Sequence, residues 1–144
     1  MKSYTNLEQS KKLAEILPLE SADMALLHEE PYETSDSKFD GLHQALCVPF
    51  NKYDKSWRQK YKNISYFPCW SLAALLQVLP LGIYDELDGC DYELEIDMID
   101  KMPRYIRLGD LYHSQFPYDF EKDTLLDNIV ESIIWLNDNN YFEL

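Results

Sequence analysis

The sequence predicts an α+β fold: a single compact two-layer domain with about three helices packed on a small antiparallel sheet. Three observations carry this prediction. Apolar residues recur with helical period around 6–17, 69–80 and 124–137. Residues 92–98 instead alternate apolar and acidic side chains, the period of a half-buried strand. The chain of 144 residues contains 46% hydrophobic and 14% aromatic residues, enough apolar matter to bury a core without a metal or disulfide. Only 4 glycines are present, which leaves few cheap positions for a flexible linker, so residues 1–144 are read as one domain. Residues 31–63 read as an inserted or irregular segment.

The first helix is predicted over Asn6 to Leu17. Thr5 and Glu8 have the spacing of a capping box, and Pro18 ends the helix because its ring clashes with a continuing turn. Ser21 to His28 fits a short strand or a helical turn, and a strand is preferred. Glu29 to Asp40 is polar, contains Pro31 and reads as a loop. Gln44 to Phe50 reads as a strand, with Pro49 favouring an edge.

Cys69 to Pro80 is the clearest short helix. Ser71 is the natural N-cap, and Leu72, Leu75, Leu76 and Leu79 fall on one face. Asp88-Gly89 signals a turn. The alternating strand follows, Asp100 to Pro103 turns the chain, and Arg104 to Leu108 returns antiparallel. Leu111 to Phe120 reads as a loop. The last helix is predicted over Thr124 to Asn137, capped by Asp123 or Thr124, with Leu126, Ile129, Val130, Ile133 and Ile134 as its buried stripe. Asn137 to Asn140 suits its end, because Asn tolerates the left-handed conformation. Tyr141 to Leu144 is expected to dock back as a short tail.

Charge excludes more than any motif does. The net charge is −13, which argues against broad nucleic-acid binding, since phosphate neutralisation needs a Lys/Arg surplus. The distribution is uneven. Residues 51–84 hold five cations and one carboxylate, whereas 85–107 hold three cations and eight carboxylates. One basic island therefore sits in an acidic chain.

The three cysteines, Cys47, Cys69 and Cys90, form no C-x-x-C, so neither a zinc ribbon nor a thioredoxin-type motif is written. The first eight residues lack an apolar run, and Leu72 to Leu81 is too short to span a bilayer. These features predict a cytoplasmic protein with free thiols and no membrane association. Oligomeric state is not legible.

Three blocks, Ser21-Ala22-Asp23-Met24, the helix from Cys69-Trp70-Ser71-Leu72 to Leu79-Pro80, and Ile133-Ile134-Trp135-Leu136, carry a resemblance. Together they resemble a group of small uncharacterised proteins of Bacteroides-type gut bacteria, their phages and mobile elements. The resemblance covers about two thirds of the chain in separated blocks. It implies a cytoplasmic accessory protein, prophage-derived, and it transfers no catalytic residues.

Four constellations were weighed for chemistry. Glu93, Glu95 and Asp97, with Asp100 beyond, form a carboxylate row with side chains about 7 Å apart by strand rise. Such oxygens can bind Mg²⁺ or Ca²⁺, but a strand lacks the wrapped loop a calcium site needs, and a solvated face that opposes edge pairing is the simpler reading. His28, His43, His113 and the cysteines include no ligand pair of recognised spacing; His43 and Cys47 are four apart in a region read as strand or loop. No G-x-S-x-G, H-E-x-x-H or P-loop occurs, so no nucleophile or phosphate cradle is marked.

The basic island is the fourth. If it is helical, Tyr53, Trp57 and Tyr61 share one face, and Lys55, Arg58 and Lys62 share its neighbour. Aromatics interleaved with cations can stack on bases or take an anionic partner. Packing against the protein's own carboxylates is the competing reading. Two function classes follow. The leading one is a non-enzymatic acidic protein that binds another protein, its sharper form a DNA mimic occupying a basic cleft. The alternative is a small enzyme or ligand-binding domain with an unmarked pocket. No catalytic residue, metal or cofactor is assigned.

Overall fold

The computed structural model describes residues 2–29, 43–46, 64–107, 115–116 and 122–142. It has the α+β class, with three α-helices and two antiparallel sheets among these residues. The chain forms two compact units, one of residues 4–74 and one of residues 1–3 with 75–144.

In the unit 4–74, α1 spans Leu7–Ile16, a 3₁₀ turn spans Leu19–Ser21, and three strands follow: β1 Met24–Glu29, β2 His43–Leu46 and β3 Ile64–Cys69. The strand order is β2-β1-β3. β1 pairs Leu26 with Ala45 on one side and with Phe67 on the other. The strand reading of 21–28 holds. Its ambiguity has a physical cause: Met24, Ala25 and Leu26 are all buried, so the central strand has no polar face to reveal its period. The strand read over 44–50 is present as the edge strand β2 as far as Leu46, and residues 47–50 lie outside the described residues.

The cap of α1 differs from expectation. Asn6, not Thr5, is the N-cap, and its partner in the capping box is Gln9 rather than Glu8. Asn6 Oδ1 accepts from the Gln9 amide at 2.9 Å, and Gln9 Oε1 accepts from the Asn6 amide at 3.1 Å. Thr5 is taken elsewhere. Its amide donates to the Trp70 carbonyl at 3.0 Å, and its hydroxyl is buried beside Ser10. Tertiary pairing thus outcompetes a local cap by one residue. Leu17 closes the helix by donating to the Leu13 carbonyl, and Pro18 prevents another turn. Met24, Leu26 and Cys69 form a core cluster, with Leu7, Ala45 and Phe67 packed on it.

Helix α2, Leu72–Val78, contains the division between the units. Ser71 caps it as expected, its hydroxyl accepting from the Ala74 amide at 3.1 Å. Leu75 and Leu79 are buried with Ala74, while Leu72 and Leu76 are only half-buried. The buried stripe is therefore narrower than the four leucines suggest.

The unit containing 75–144 has strands β4 Gly82–Asp85, β5 Cys90–Asp97, β6 Met102–Arg107 and β7 Gln115–Phe116, in the order β4-β5-β6-β7. Helix α3, Leu125–Asp138, packs against β6. The Asp88-Gly89 turn forms as expected, with Gly89 at φ 68°, a left-handed conformation that suits glycine. The return strand also forms, pairing Leu94 with Tyr105 and Glu95 with Arg104. The loop read over 111–120 needs one correction: Gln115 and Phe116 pair with Ile106 and Tyr105 as β7. Two residues are too few for a period to show.

Thr124 caps α3, its hydroxyl accepting from the Asp127 amide at 3.1 Å. Leu126, Ile129, Val130 and Ile133 are buried as the stripe predicts, Leu136 joins them, and Ile134 is half-buried. Asn140 stands at φ 60°, the left-handed conformation expected of an Asn at a helix end. Asn128 is a buried polar residue inside the stripe. Its Nδ2 donates to the Lys101 carbonyl at 2.7 Å and the Lys122 carbonyl at 3.2 Å, and its Oδ1 accepts from the Lys122 amide. This ties the β5–β6 turn, where Lys101 holds φ 56°, to the start of α3.

Candidate functional site

The sheet of the 75–144 unit presents two chemically distinct faces. On one face of β5 and β6 lie Tyr92, Leu94, Ile96, Pro103 and Tyr105, of which Tyr92, Pro103 and Tyr105 are buried. The Tyr105 hydroxyl donates to the Pro80 carbonyl at 2.8 Å, and burial raises its pKa well above the ordinary phenol range. The other face carries Asp91, Glu93 and Glu95, all exposed. Strand period produces this segregation directly.

The carboxylate row is shorter than the spacing predicts. Asp97 is half-buried, and its Oδ1 accepts from the amides of Ile99 at 2.9 Å and Asp100 at 3.1 Å. Arg104 bridges to Asp97 Oδ2 and Asp100 Oδ2, each at 2.9 Å. The two backbone bonds, with Arg104 behind them, hold the Asp97 pKa below the usual carboxylate range. Asp97 and Asp100 therefore organise the hairpin turn. Asp91, Glu93 and Glu95 are exposed and form no ion pair among the described residues. The other predicted site residues, Tyr53, Lys55, Trp57, Arg58, Tyr61 and Lys62, lie outside the described residues.

The unit 4–74 holds a second polar cluster, this one internal. Thr5 Oγ1 and Ser10 Oγ are 2.8 Å apart, and the Trp70 amide donates to Thr5 Oγ1 at 3.2 Å. Cys69 Sγ lies 3.5 Å from both the Thr5 hydroxyl and the Thr5 carbonyl. Beside them, Asp23 accepts from the Ser71 amide at 2.8 Å and from the Ser71 hydroxyl, and Trp70 Nε1 donates to Ser21 Oγ at 2.9 Å. Burial pushes the Cys69 thiol pKa up, which disfavours the thiolate a nucleophile or metal ligand requires. The cluster reads as a structural joint. The β1–β2 register sets His28 opposite His43 along the backbone. Among the described residues no group of three or more His, Cys, Asp or Glu is placed to hold a metal.

Sequence reasoning missed a third feature. A cleft of about 800 Å³ opens in the 75–144 unit, lined by β4, the turn after it and the end of α3. Tyr84, Asp85, Glu86, Tyr141 and Phe142 contribute to its walls. Asp85 is buried, with 8% of its surface exposed, and its Oδ1 accepts from the Leu87 amide at 3.1 Å and the Tyr141 hydroxyl at 3.4 Å. The Tyr141 ring stacks on Trp135 with centroids 5.4 Å apart. Burial, and then the neighbouring Asp85 charge, raise the Tyr141 pKa. The only sequence signal was the Asp85-Glu86-Leu87-Asp88-Gly89 run, which reads as an ordinary turn.

Comparison with family models, with curated proteins and with solved structures finds no match for the chain. Among the described residues no helix is long and apolar enough to cross a membrane.

Proposed function

We propose that this protein is a non-enzymatic, acidic interaction protein whose outer β5 face docks a basic surface of another protein. The observation that carries the reading is the exposed, alternating row Asp91, Glu93 and Glu95 on an ordered strand, in a chain of net charge −13. A rigid row holds its charges in register, so a cationic partner need not order them on binding. The field of the whole chain accelerates encounter with such a partner and repels nucleic acid. A cytoplasmic setting, and the phage-related accessory role implied by the resemblance, belong to the same reading. Its narrow form is a DNA mimic, which would sit in the basic cleft of a nuclease or repressor.

The test compares the wild-type protein with the Glu93→Gln/Glu95→Gln double variant as bait in a lysate of the source cells, washed through a salt series. A partner retained by wild type, lost with rising salt and lost by the double variant supports the proposal. Identical retained proteins for both baits would overturn it. Competition of that partner's complex by duplex DNA separates the mimic from a general acidic docking face.

A second reading, a ligand-binding domain, is favoured by one specific observation, the cleft beside Asp85.

A further inference from the structure

The geometry points to a binding site for an organic cation, an alkylammonium group, in the cleft formed by β4, the β4–β5 turn and the end of α3. This site is separate from the acidic row of β5, and nothing in the docking proposal requires it.

Four observations converge on that chemistry. First, the cleft encloses about 800 Å³, room for a side-chain-sized ligand. Second, a carboxylate is built into its wall. Asp85 is more than nine-tenths buried, and Oδ1 is already held by the Leu87 amide and the Tyr141 hydroxyl. Its second oxygen accepts no hydrogen bond among the described residues, and Asp85 is part of the cleft lining. A carboxylate removed from water with one oxygen unused attracts a charge-assisted donor more strongly than a solvated one does.

Third, aromatic residues share the cleft with that carboxylate. Tyr84, Tyr141 and Phe142 line the same cleft. Tyr84 alternates to the β4 face opposite Asp85, whereas Tyr141, stacked on Trp135, contacts the Asp85 carboxylate directly. Aromatic faces beside a carboxylate are the surroundings that retain ammonium groups, through the ring quadrupole and the fixed charge together. Fourth, the electrostatics all have one sign. Among the described residues the lining includes Asp85 and Glu86 and no Lys, Arg or His. Asn139 and Asn140 bring the end of the 14-residue helix α3 to the cleft, where the macrodipole is negative, and the last turn of α3 contains no basic residue to offset it. The described lining therefore favours a cation over an anion. An uncharged apolar ligand would leave the second oxygen of Asp85 desolvated and unpaired.

The ammonium group can come from a free amine or from a lysine side chain of a partner, and the probes separate these. Nα-acetyl-lysine amide, its ε-trimethyl form, butylammonium and the neutral Nα-acetyl-norleucine amide are titrated into the full chain at about 0.15 M salt, where long-range attraction is screened. Trp135 fluorescence and the amide resonances of residues 82–87 and 139–142 are followed. The expected result is saturable binding of the ammonium probes and none of the norleucine probe. Asp85→Asn should weaken binding about tenfold or more, and Phe142→Leu about threefold or more. Glu93→Gln/Glu95→Gln should bind as wild type, so failure of this site and failure of the docking face are distinguishable.

Equal affinity for butylammonium and the lysine amides assigns the site to free amines. Preference for the lysine amides assigns it to a polypeptide side chain. Three results would overturn the proposal: no saturable response to any ammonium probe, norleucine binding as tightly as lysine, or wild-type affinity in both Asp85→Asn and Phe142→Leu. If circular dichroism shows Asp85→Asn unfolded, Phe142→Leu and Glu86→Gln decide.

Discussion

The two units solve the same packing problem and differ in where their main polar clusters lie. Each sets an amphipathic helix on an antiparallel sheet: α1 on β3 in one, α3 on β6 in the other. The 4–74 unit turns polar side chains inward, joining Thr5, Ser10, Cys69, Asp23 and Ser71 around Trp70. The unit containing 75–144 turns Asp91, Glu93 and Glu95 outward and leaves Asp85 facing a cleft. The lesson is that the same residue types serve different ends according to burial. Inward polar groups must be satisfied and so hold structure together, whereas outward ones are free to meet a partner.

The comparison can be broken at several strengths. The largest effect should come from the two helix faces. Leu13→Ala and Ile133→Ala each remove a fully buried side chain and should cost about 2–5 kcal/mol by urea denaturation. A single transition shifted by either substitution would show both units folding as one cooperative system. Two separated transitions would show that the units unfold independently. Leu76→Ala should cost clearly less than Leu75→Ala, because only Leu75 is buried.

Next come the inward polar groups. Asp23→Ala strands the Ser71 amide and hydroxyl and should destabilise by about 1–3 kcal/mol. Asn6→Ala removes only the cap and should cost about 1 kcal/mol. A larger loss from Asn6→Ala than from Asp23→Ala would reverse this ranking. The Cys69 thiol has a pKa raised by burial, so the fold favours its protonated form. Its contribution is complete below the thiol's unfolded value and is lost as pH rises through the higher folded value. Denaturation curves taken at increasing alkaline pH should show that loss, and Cys69→Ala should lessen it.

The smallest effect belongs to the outward groups. Glu93→Gln/Glu95→Gln should change stability by less than about 0.5 kcal/mol. A larger loss would mean that the row is part of the structure rather than an available surface.

Much of this architecture is written locally. The alternation Tyr92, Leu94, Ile96 against Glu93, Glu95 determined both the strand β5 and which residues face outward. The cap Ser71, the stops at Pro18 and Pro80, the Asp88-Gly89 turn and the Asn140 helix end were legible for the same reason. Each depends on one backbone preference or one short period that neighbours in sequence are enough to express. The exposure of Glu93 and Glu95 was therefore legible, and the basic island from Tyr53 to Lys62 lies outside the described residues.

Tertiary structure decided the rest. Thr5 has the chemistry of an N-cap, but pairing with Trp70 and Ser10 withdrew it and left the cap to Asn6. Asp97 belongs to the carboxylate row by period, yet Arg104 and two turn amides claim it. The two-residue strand β7 has no period to read. Asp85 and Tyr141 are 56 residues apart, and no local pattern predicts that their side chains meet beside a cleft. Sequence alone determined which segments are regular and which faces are polar, because those follow from backbone geometry repeated over a few residues. Which polar groups were satisfied, and which were left facing solvent or a cleft, depended on contacts between distant segments that only the folded chain brings together.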